Sequence, residues 1–503
     1  MPPTKSSPKL HHEATVIRSA IQSRLLVLTL ILLWRTLLSS YDTSAPINPD
    51  CLSTIPAQKN VLFHSLGSAI ESSIVWDGVY YVRIAECGYE YEQTYAFFPL
   101  LPLCMSFLSR TVLAPLVPVI GQRAVLGLSG YVINNIAFVF GAVYLYRLSV
   151  VILKDQEAAV RASLLFCFNP ASIFYSSIYS ETLFALFSVG GLYHLISGKD
   201  VIAVLWFALS GFSRSNGVLN AGYFCFQTMH QAYDAVFLRK RPFLALQAVV
   251  GGALRCICIF VPFIAFQAYG YNNLCLEHLP SDMRPWCNAR VPLLGVGFLR
   301  YFQVKQLPNF LLASPILSLA LCSIIHYAKS KPENFFSLGF RAPPEDKDSA
   351  AVLFSLTEYS SRSQGFTFKQ PLLCDLTYYY CHCFIAYSVD IYEAKNRTRK
   401  QVNKDGPALL SEEHKALAKQ GYLSVAVLPC ILHLGFMAAT AFFVMHVQVA
   451  TRFLSFSPPL YWFASYIMKS RGTGKRWGYI VWAYSAAYIL LGSLLFPNFY
   501  PFT

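Results

Sequence analysis

Charged side chains are scarce in this chain of 503 residues. Only 13% of the residues are charged, whereas 55% are apolar, and a soluble domain of average composition carries about twice that charged fraction. Too few polar groups remain to cover a water-exposed surface, which excludes an ordinary soluble globular protein. The apolar residues gather in about eleven stretches that approach the roughly 20 residues of a spanning helix, so lipid must surround much of the chain.

Several motifs of familiar catalytic machinery are also missing. The chain has no G-x-x-x-x-G-K-[ST] phosphate loop, no G-x-G-x-x-G dinucleotide fingerprint and no H-E-x-x-H zinc motif. Cys381-His382-Cys383 is spaced too tightly for an ordinary zinc site. The first loop also lacks a D-x-D pair, which disfavours a nucleotide-sugar donor held through a metal. No cofactor or metal ligand is therefore predicted, and the question of assistance by a divalent ion stays open.

Cysteine is used mainly as an apolar residue. Most of the 14 cysteines lie in apolar segments, where they act as small hydrophobic side chains. Cys275 and Cys287 are the exception, because they lie in a polar loop, and they are predicted to form a disulfide in an oxidising compartment. Cys51 and Cys87 are the next pair to consider.

The net charge of +14 is unevenly distributed along the chain. Basic segments stay on the cytoplasmic side of a membrane, and no basic, aromatic module for binding nucleic acid is present. The loop over residues 41–96 is acidic, with only Lys59 and Arg83 as basic residues, and is therefore predicted to be luminal. Lys and Arg concentrate in four segments, which are therefore predicted to be cytoplasmic: residues 1–24, 239–241, 329–419 and 469–476.

These patterns predict an all-α polytopic membrane protein. Residues 1–24 are expected to form a cytoplasmic tail, followed by a retained first helix within a membrane core over residues 25–328. A weakly ordered cytoplasmic insert is expected over residues 329–420, and further transmembrane helices over residues 421–503. About eleven crossings are predicted, because residues 97–119 are rich in proline and are assigned to a re-entrant or interfacial segment.

The acidic luminal loop contains an amphipathic stretch. Trp76, Tyr80 and Ile84 recur at helical spacing, whereas Asp77 and Arg83 lie off that stripe. The pattern predicts a helix on the membrane surface, with a carboxylate at the boundary where a lipid-linked substrate would present its head group. The simpler alternative is a solvated surface helix that Asp77 caps.

Two further polar stretches interrupt apolar helices. Glu181 follows residues 169–171 on the predicted luminal side, where it can cap a helix or face the same compartment as Asp77. Arg214 interrupts an apolar run together with Asn216, and an arginine at the membrane boundary suits an anionic partner such as phosphate. An ion pair with Glu181 and simple snorkelling to the surface are the alternatives for Arg214.

A fourth polar stretch ends another apolar helix at the same predicted face. His446, Gln448 and Arg452 lie there within seven residues of one another, roughly two helical turns. They are candidates for lining a head-group pocket, and anchoring at the membrane interface is the alternative.

Taken in order, these stretches resemble the PIG-V family of mannosyltransferases. The resemblance covers most of the chain outside residues 329–420. It implies an endoplasmic-reticulum enzyme with a GT-C-like bundle, whose active site faces the lumen. Such an enzyme moves the second mannose from dolichyl-phosphate-mannose to a glycosylphosphatidylinositol (GPI) intermediate through an α-1,6 bond. The motifs that carry the resemblance are Trp76-Asp77 with Ala96-Phe97-Phe98-Pro99, Phe168-Asn169-Pro170-Ala171 with Tyr179-Ser180-Glu181, Ser213-Arg214-Ser215-Asn216-Gly217, and residues 446–452.

The resemblance also implies roles for individual residues. Asp77 would be the general base that takes the proton from the acceptor's mannose 6-hydroxyl. Arg214 or Arg452 would stabilise the departing dolichyl phosphate, and Glu181 would orient the acceptor or one of these arginines. The other residues expected to bind substrate are Trp76, Asn216, His446 and Gln448.

Other partners and other functions follow from the same residues. Besides the two lipid-linked substrates, the expected partners are endoplasmic-reticulum membrane lipids and, optionally, a small membrane subunit. A lipid or solute transporter would use Arg214 and Glu181 along a conduction path, but it would also predict inverted repeats, which the sequence does not display. A non-catalytic subunit of a membrane glycosyltransferase complex would use the luminal carboxylates structurally.

Overall fold

Helices are the only regular secondary structure among the described residues of the chain. A computed structural model places no strand among them, which confirms the predicted all-α class. A chain surrounded by lipid must satisfy its backbone hydrogen bonds internally, and helices do so within each segment. The model describes residues 8–39, 41, 51–52, 61–276, 287, 298–348, 350–355, 421–469 and 473–502.

The helices are numbered here in chain order. The first part of the chain forms α1 (Pro8–Leu37), α2 (His64–Glu71), α3 (Asp77–Cys87), α4 (Leu100–Arg110), α5 (Val117–Ile120), α6 (Gln122–Leu153), α7 (Gln156–Cys167), α8 (Ser172–Ser176), α9 (Glu181–Ile196), α10 (Asp200–Ser213), α11 (Ala221–Tyr233), α12 (Pro242–Tyr271) and α13 (Leu307–Ser330). The second part forms α14 (Pro332–Phe336), α15 (Pro344–Asp348), α16 (Ala351–Phe354), α17 (Leu428–Phe443), α18 (Ala450–Leu454), α19 (Pro458–Met468) and α20 (Thr473–Leu495).

Six helical segments within the described ranges are long and apolar enough to cross a membrane. The chain is therefore a multi-pass membrane protein. A seventh span is possible if the bent pair Leu100–Arg110 and Ala114–Ile120, whose axes differ by 70°, counts as one. Pro115 and Pro118 lie in the second member of this pair, where proline interrupts regular helical hydrogen bonding. The six segments are His11–Leu37, Gln122–Leu153, Pro242–Leu276, Val304–Ser330, Val425–Phe443 and Gly474–Asn498.

Close packing of α9 against α10 positions two of the predicted site residues. A Cβ atom at Gly190 or Gly191 would overlap the rings of Trp206 and Phe207 on α10, so the small residues let the two helices approach closely. The two helices run in opposite directions across a short turn. The start of α9 at Glu181 therefore lies at the same end of the bundle as the exit from α10.

The predicted helix in the acidic loop is present as α3, but its buried face differs from the expected stripe. Tyr81, Val82 and Arg83 are buried, and α3 packs against α4 and α6. The side chain of Arg83 is only 3% exposed, and its charge is neutralised by Glu90, whose Oε2 lies 2.6 Å from Nη2 of Arg83. The helix is thus held within the protein on more sides than an amphipathic surface helix would be.

Part of the expected insert packs against the membrane core. The amide nitrogen of Gln227 donates to the carbonyl of Val352 at 3.0 Å, and His230 Nε2 lies 2.9 Å from the carbonyl oxygen of Leu338. Phe354 is buried. Residues 332–348 and 350–355 fall within the insert that the sequence predicts to be weakly ordered, and they pack on α11 through these contacts. Residues 356–420 lie outside the described part.

The predicted disulfide between Cys275 and Cys287 is present. A second disulfide joins Cys51 to Cys87, which was the second candidate pair in the sequence analysis. It ties Cys51, which precedes α2 in the chain, to the last residue of α3. Cys275 lies near the end of the helical segment Pro242–Leu276, and Cys87 ends α3.

Candidate active site

Four charged residues from distant parts of the chain meet at helix ends. Asp77 is the first residue of α3, and Glu181 is the first residue of α9. Arg214 follows the last residue of α10, and Arg452 lies in the short helix α18. The sequence predicted all four as site residues, and the structure brings them together.

The four side chains form a continuous chain of alternating charge. Nη1 of Arg452 lies 3.5 Å from Oδ2 of Asp77, and Nε of Arg452 lies 3.6 Å from Oε1 of Glu181. Nη1 of Arg214 contacts the same Glu181 oxygen. In space, the contacts run in the order Asp77, Arg452, Glu181 and Arg214. The ion pair with Glu181, one of the sequence alternatives for Arg214, is present.

The two carboxylates differ strongly in exposure. The side chain of Glu181 is 3% exposed, whereas that of Asp77 is 37% exposed. A buried carboxylate needs charged partners to offset the loss of hydration, and Glu181 has two arginines. Asp77 has one long ion pair and is the carboxylate that a substrate hydroxyl can reach.

Helix capping does not explain either carboxylate. Trp76 and Ser180 are the N-cap residues of α3 and α9, and neither helix has a side-chain capping hydrogen bond. Asp77 and Glu181 occupy the first helical position, one residue later. Each still gains from the positive end of its helix dipole, but the capping alternative for Asp77 and Glu181 is not observed.

The electrostatics of the cluster favour an acid–base role for Asp77. Burial raises the pKa of Asp77 above its ordinary value, and attraction to Arg452 opposes this rise. Burial tends to lower the pKa of Arg452, but attraction to Glu181 and Asp77 outweighs burial and raises it. Arg452 is thus a permanent cation beside a carboxylate whose raised pKa makes it a stronger base.

Tyr179 links Asp77 to Arg452, although the sequence reasoning assigned it no role. The backbone N–H of Asp77 donates to the Tyr179 hydroxyl oxygen at 3.2 Å, and the Arg452 guanidinium lies 5.6 Å from the centre of the Tyr179 ring. Asn134 of α6 donates to the Tyr179 carbonyl at 2.9 Å. Asparagine within an apolar helix was the available signal, since buried polar side chains in membrane helices need partners.

Ser180 connects the three helices that carry the cluster. The hydroxyl of Tyr81 on α3 donates to the Ser180 hydroxyl at 2.9 Å. The hydroxyl of Ser213, the last residue of α10, donates to the Ser180 carbonyl at 3.2 Å. The start of α9 is therefore fixed to both α3 and α10, immediately before Glu181.

Trp76 adopts a backbone conformation that is unfavourable for a large residue. Its φ is 53° and its ψ is −130°, a region that glycine occupies without cost and that costs another residue about 1–3 kcal/mol. Its indole N–H donates to the carbonyl of Phe496 at 3.0 Å. The sequence placed Trp76 among the substrate-binding residues, and the structure engages its only polar group with the protein itself.

The remaining predicted residues are divided between two places. Asn216 follows Arg214, and its amide nitrogen is buried without a hydrogen-bond partner in the described part of the chain. His446 and Gln448 contact Tyr301 instead of the carboxylates: the rings of His446 and Tyr301 are 4.9 Å apart, and the Tyr301 hydroxyl donates to Gln448 at 2.8 Å. Asn216 is thus near the cluster only through its position two residues after Arg214, whereas His446 and Gln448 form a separate polar group with Tyr301.

One group of side chains in the described ranges has the spacing of metal ligands. It comprises Cys51, Cys87 and Glu90. The two cysteines are joined in a disulfide, which removes their thiolates as ligands. The chemistry of this group does not fit a metal site.

Two apolar cavities lie beside helices of the membrane core. One, of about 510 Å³, is bounded by α3, α4 and α12, with Tyr89, Phe266 and Tyr269 in its wall. The other, of about 560 Å³, lies between α1 and α6. Neither includes a member of the charged cluster. Their walls suit hydrocarbon chains better than sugars.

The fold and the cluster define a polytopic helical membrane protein with a polar, carboxylate-containing centre. A family model described as "Mannosyltransferase (PIG-V)" matches residues 12–503, and the chain belongs to this family. The family and the enzyme class predicted from the sequence, a mannosyltransferase of GPI-anchor biosynthesis, are thereby confirmed.

Known relatives extend over most of the chain. "GPI alpha-1,6-mannosyltransferase 2" of Rattus norvegicus is 26% identical over 487 residues, covering 91% of this chain and 84% of the relative. The Homo sapiens protein of the same name has the same identity and coverage. "GPI mannosyltransferase 2" of Schizosaccharomyces pombe is 31% identical over 253 residues, covering 48% of this chain and 51% of the relative.

A solved structure with some similarity is the archaeal oligosaccharyltransferase AglB from Archaeoglobus fulgidus, in complex with an inhibitory peptide and a dolichol-phosphate. The TM-score is 0.38 and the identity 13%, and the comparison covers 98% of this chain. This chain spans 56% of the length of that protein.

Proposed function

We propose that this protein transfers the second mannose, through an α-1,6 bond, from dolichyl-phosphate-mannose to the mannosyl-glucosaminyl-phosphatidylinositol intermediate of GPI-anchor biosynthesis. The observation that carries the proposal is the meeting of Asp77, Glu181, Arg214 and Arg452 at one end of the bundle, in a chain of the PIG-V family. The names of the rat and human relatives supply the linkage.

Asp77 is the general base in this proposal. It takes the proton from the 6-hydroxyl of the acceptor mannose while that oxygen forms a bond to the anomeric carbon of the donor. The bond between the anomeric carbon and the donor phosphate oxygen breaks, and its electron pair leaves with dolichyl phosphate. One such displacement inverts the β-linkage of the donor to the α-linkage of the product. Partial exposure and a raised pKa suit Asp77 to this role.

The arginines stabilise the leaving group. Dolichyl phosphate departs as an anion and needs positive charge more than a proton. Arg452 contacts the carboxylates through Nε and Nη1, and its planar fork has further N–H donors for a phosphate. The buried amide nitrogen of Asn216 lies two residues after Arg214 and supplies another donor. We propose no metal or other cofactor for this step.

Glu181 acts by holding the arginines. Its carboxylate lies against both Arg214 and Arg452 and is almost fully buried. It is therefore poorly placed to accept a proton from a substrate. Glu181 fixes the spacing of the two cations, so that a single phosphate group can contact both.

The enzyme is proposed to have a GT-C-like arrangement in the endoplasmic-reticulum membrane. The shorter helices α7, α9, α10, α11 and α19 would bring the number of crossings to about eleven, with α3 in the first luminal loop. Disulfides persist in oxidising compartments. The two disulfides, one of which ends α3, therefore favour a luminal position for the active site. Most of the apolar segment Pro242–Leu276 is not buried within the protein, which leaves a face for membrane lipids or a small membrane subunit.

Complementation tests the proposed function. The chain is expressed in cells that lack the second GPI mannosylation step, and the glycolipid carrying one mannose is measured. The expected result is that this glycolipid stops accumulating and that GPI-anchored proteins return to the surface. Continued accumulation, with the protein abundant and correctly located, would exclude the proposed reaction.

The same assay separates the enzyme from its alternatives. Asp77→Asn should abolish rescue if the chain is an enzyme, because the amide cannot act as a base. A non-catalytic subunit would lose little, and a transporter would be affected only if Asp77 lined its path. Asp77→Asn protein that restores the cells as well as the unchanged chain would favour the non-catalytic alternative.

A further inference from the structure

Residues 496–499 lie directly beneath the start of α3. Phe496 is 2% exposed, and its carbonyl accepts the hydrogen bond from the indole of Trp76 at 3.0 Å. The rings of Phe496 and Phe499 lie 6.5 and 5.9 Å from the Trp76 ring. A second face of Phe496 contacts Tyr179, with ring centres 5.4 Å apart. One short segment therefore contacts the residue before Asp77 and the tyrosine that binds the Asp77 backbone.

Trp76 needs external support because of its backbone. A φ of 53° with a ψ of −130° is the conformation of the first central residue in a type II′ turn, where glycine is favoured. Trp76 makes no side-chain cap to α3 that would offset the strain. The contacts of its indole with residues 496–499 are the contacts that hold this conformation.

The conformation of Trp76 sets the position of Asp77. The carbonyl of Trp76 accepts the N–H of Val79 at 3.1 Å and so begins the hydrogen bonding of α3. In that arrangement the Asp77 N–H points to the Tyr179 hydroxyl at 3.2 Å, and the Asp77 carboxylate lies 3.5 Å from Arg452. A rotation at Trp76 would turn both the N–H and the carboxylate away.

The segment is itself anchored from the other side. Arg35 near the end of α1 donates to the carbonyl of Pro497 at 2.7 Å and to the hydroxyl of Ser72 at 2.9 Å. The N–H of Tyr41 donates to the carbonyl of Asn498 at 2.9 Å. Residues 496–499 are thus fixed between α1 and the turn into α3, which gives them the rigidity to hold Trp76.

We propose that residues 496–499 are a positioning element for the active site. They hold Trp76 in its left-handed conformation and thereby fix Asp77 against Tyr179 and Arg452. The inference rests on the proposed role of Asp77 as general base. The segment touches no reacting atom, so it acts on turnover through Trp76 and Tyr179.

Steady-state kinetics of the purified, full-length protein test the proposal. Trp76→Phe removes the indole N–H, and Phe499→Leu removes the ring contact. Each should lower kcat about ten- to a hundredfold, because small misplacement of a catalytic group has effects of this size. KM for both lipid substrates should change less than about threefold, since in this proposal the segment touches neither substrate.

The control is Phe354→Leu, which removes a phenylalanine ring that is more deeply buried than Phe499 but lies on α16. It should leave kcat unchanged at equal folded protein. Trp76→Gly supplies a second test, because glycine adopts the required φ without strain. Adding Phe499→Leu to Trp76→Gly should cost less than threefold, since Phe499 acts through the tryptophan side chain.

The outcomes separate this inference from the proposed function. If Asp77→Asn is inactive while Trp76→Phe and Phe499→Leu keep full kcat, the segment is not a positioning element and Asp77 remains the base. Equal losses from Phe499→Leu and Phe354→Leu would reduce the effect to folding and also overturn the inference. If Asp77→Asn keeps full kcat, the role of Asp77 itself is wrong.

Discussion

The guanidinium of Arg452 lies 3.5 Å from the carboxylate of Asp77, although 375 positions separate the two residues in sequence. At this distance the pair is an ion pair without a short hydrogen bond, so Arg452 attracts the Asp77 charge without occupying both carboxylate oxygens. Asp77 thus keeps a lone pair for a substrate proton. The same guanidinium contacts Glu181 through another nitrogen, so Arg452 couples the two carboxylates.

Replacing Asp77 by asparagine should remove catalysis and keep the fold. A general base contributes about a hundred- to ten-thousandfold in rate, or about 3–5 kcal/mol of barrier. Asparagine keeps the shape of the side chain, and Asp77 makes no capping hydrogen bond in α3. Mannose transfer by the purified variant should fall by at least a hundredfold at normal protein abundance.

Glu157→Gln is the matched control for this loss of a carboxylate. The side chain of Glu157 is 77% exposed and its ion pair with Arg161 spans 3.6 Å at the surface, a type of pair that contributes little. Its mannose transfer should equal that of the unchanged protein. An Asp77→Asn enzyme with nearly normal turnover would show that Asp77 is not the general base.

Arg214→Lys should impair use of the lipid-phosphate donor only in part. Lysine keeps the positive charge but loses the planar fork that contacts a carboxylate and a phosphate together. KM for dolichyl-phosphate-mannose should rise more than KM for the acceptor. Arg239→Lys, in the ion pair with Asp234, is the control and should change neither KM. An Arg214→Lys enzyme with both KM values unchanged would remove Arg214 from the donor site.

The two disulfides give a prediction about topology. If the loops that carry them are luminal, maleimide should label Cys275, Cys287, Cys51 and Cys87 only after reduction. Each pair is examined in a variant whose other cysteines are replaced by serine, and labelling is read by mass shift. Reactivity of a pair before reduction would contradict its disulfide in the native protein.

Much of the fold and the centre of the site could be predicted from the sequence. Arg214 is predicted because it interrupts an apolar run, and membrane proteins place such charges at functional sites. Asp77 is predicted from an amphipathic stretch in the acidic loop, and Glu181 and Arg452 from polar stretches at the ends of apolar helices. The roles of all four residues follow from the resemblance to the PIG-V family. Of the contacts within the cluster, the sequence offered the ion pair of Arg214 with Glu181 as an alternative, but it gave no indication of the contacts that Arg452 makes. Four helix ends converge through packing of α3, α9 and α10, and a single sequence carries no record of contacts across hundreds of residues.

The sequence did not predict the contacts of neutral aromatic side chains, the backbone conformation of Trp76 or the burial of Arg83. Tyr179 and Phe496 are aromatic residues in a chain with 15% aromatic residues, so nothing in their identity marks them. The positive φ of Trp76 could not be predicted either, because glycine is the residue that usually occupies such positions. Burial of Arg83 was missed because its partner Glu90 lies seven residues away, beyond the spacing of a helical pair.

The pH dependence of turnover should report Asp77, and two substitutions should move it in opposite directions. Burial raises the pKa of Asp77, so kcat/KM should fall with decreasing pH at a higher pH than for an ordinary aspartate. The charge of Glu181 raises this pKa and that of Arg452 lowers it. Glu181→Gln should therefore shift the acidic limb to lower pH, whereas Arg452→Gln should shift it to higher pH.

Both variants should also be slower, because each disturbs the cluster, but the position of the acidic limb is independent of the maximum rate. The measurement is kcat/KM across the acidic range, which reports groups of the free enzyme. Glu157→Gln provides the control for loss of a distant carboxylate and should leave the limb in place. If Glu181→Gln and Arg452→Gln moved the limb in the same direction, or left it unmoved, the titrating group would not be Asp77.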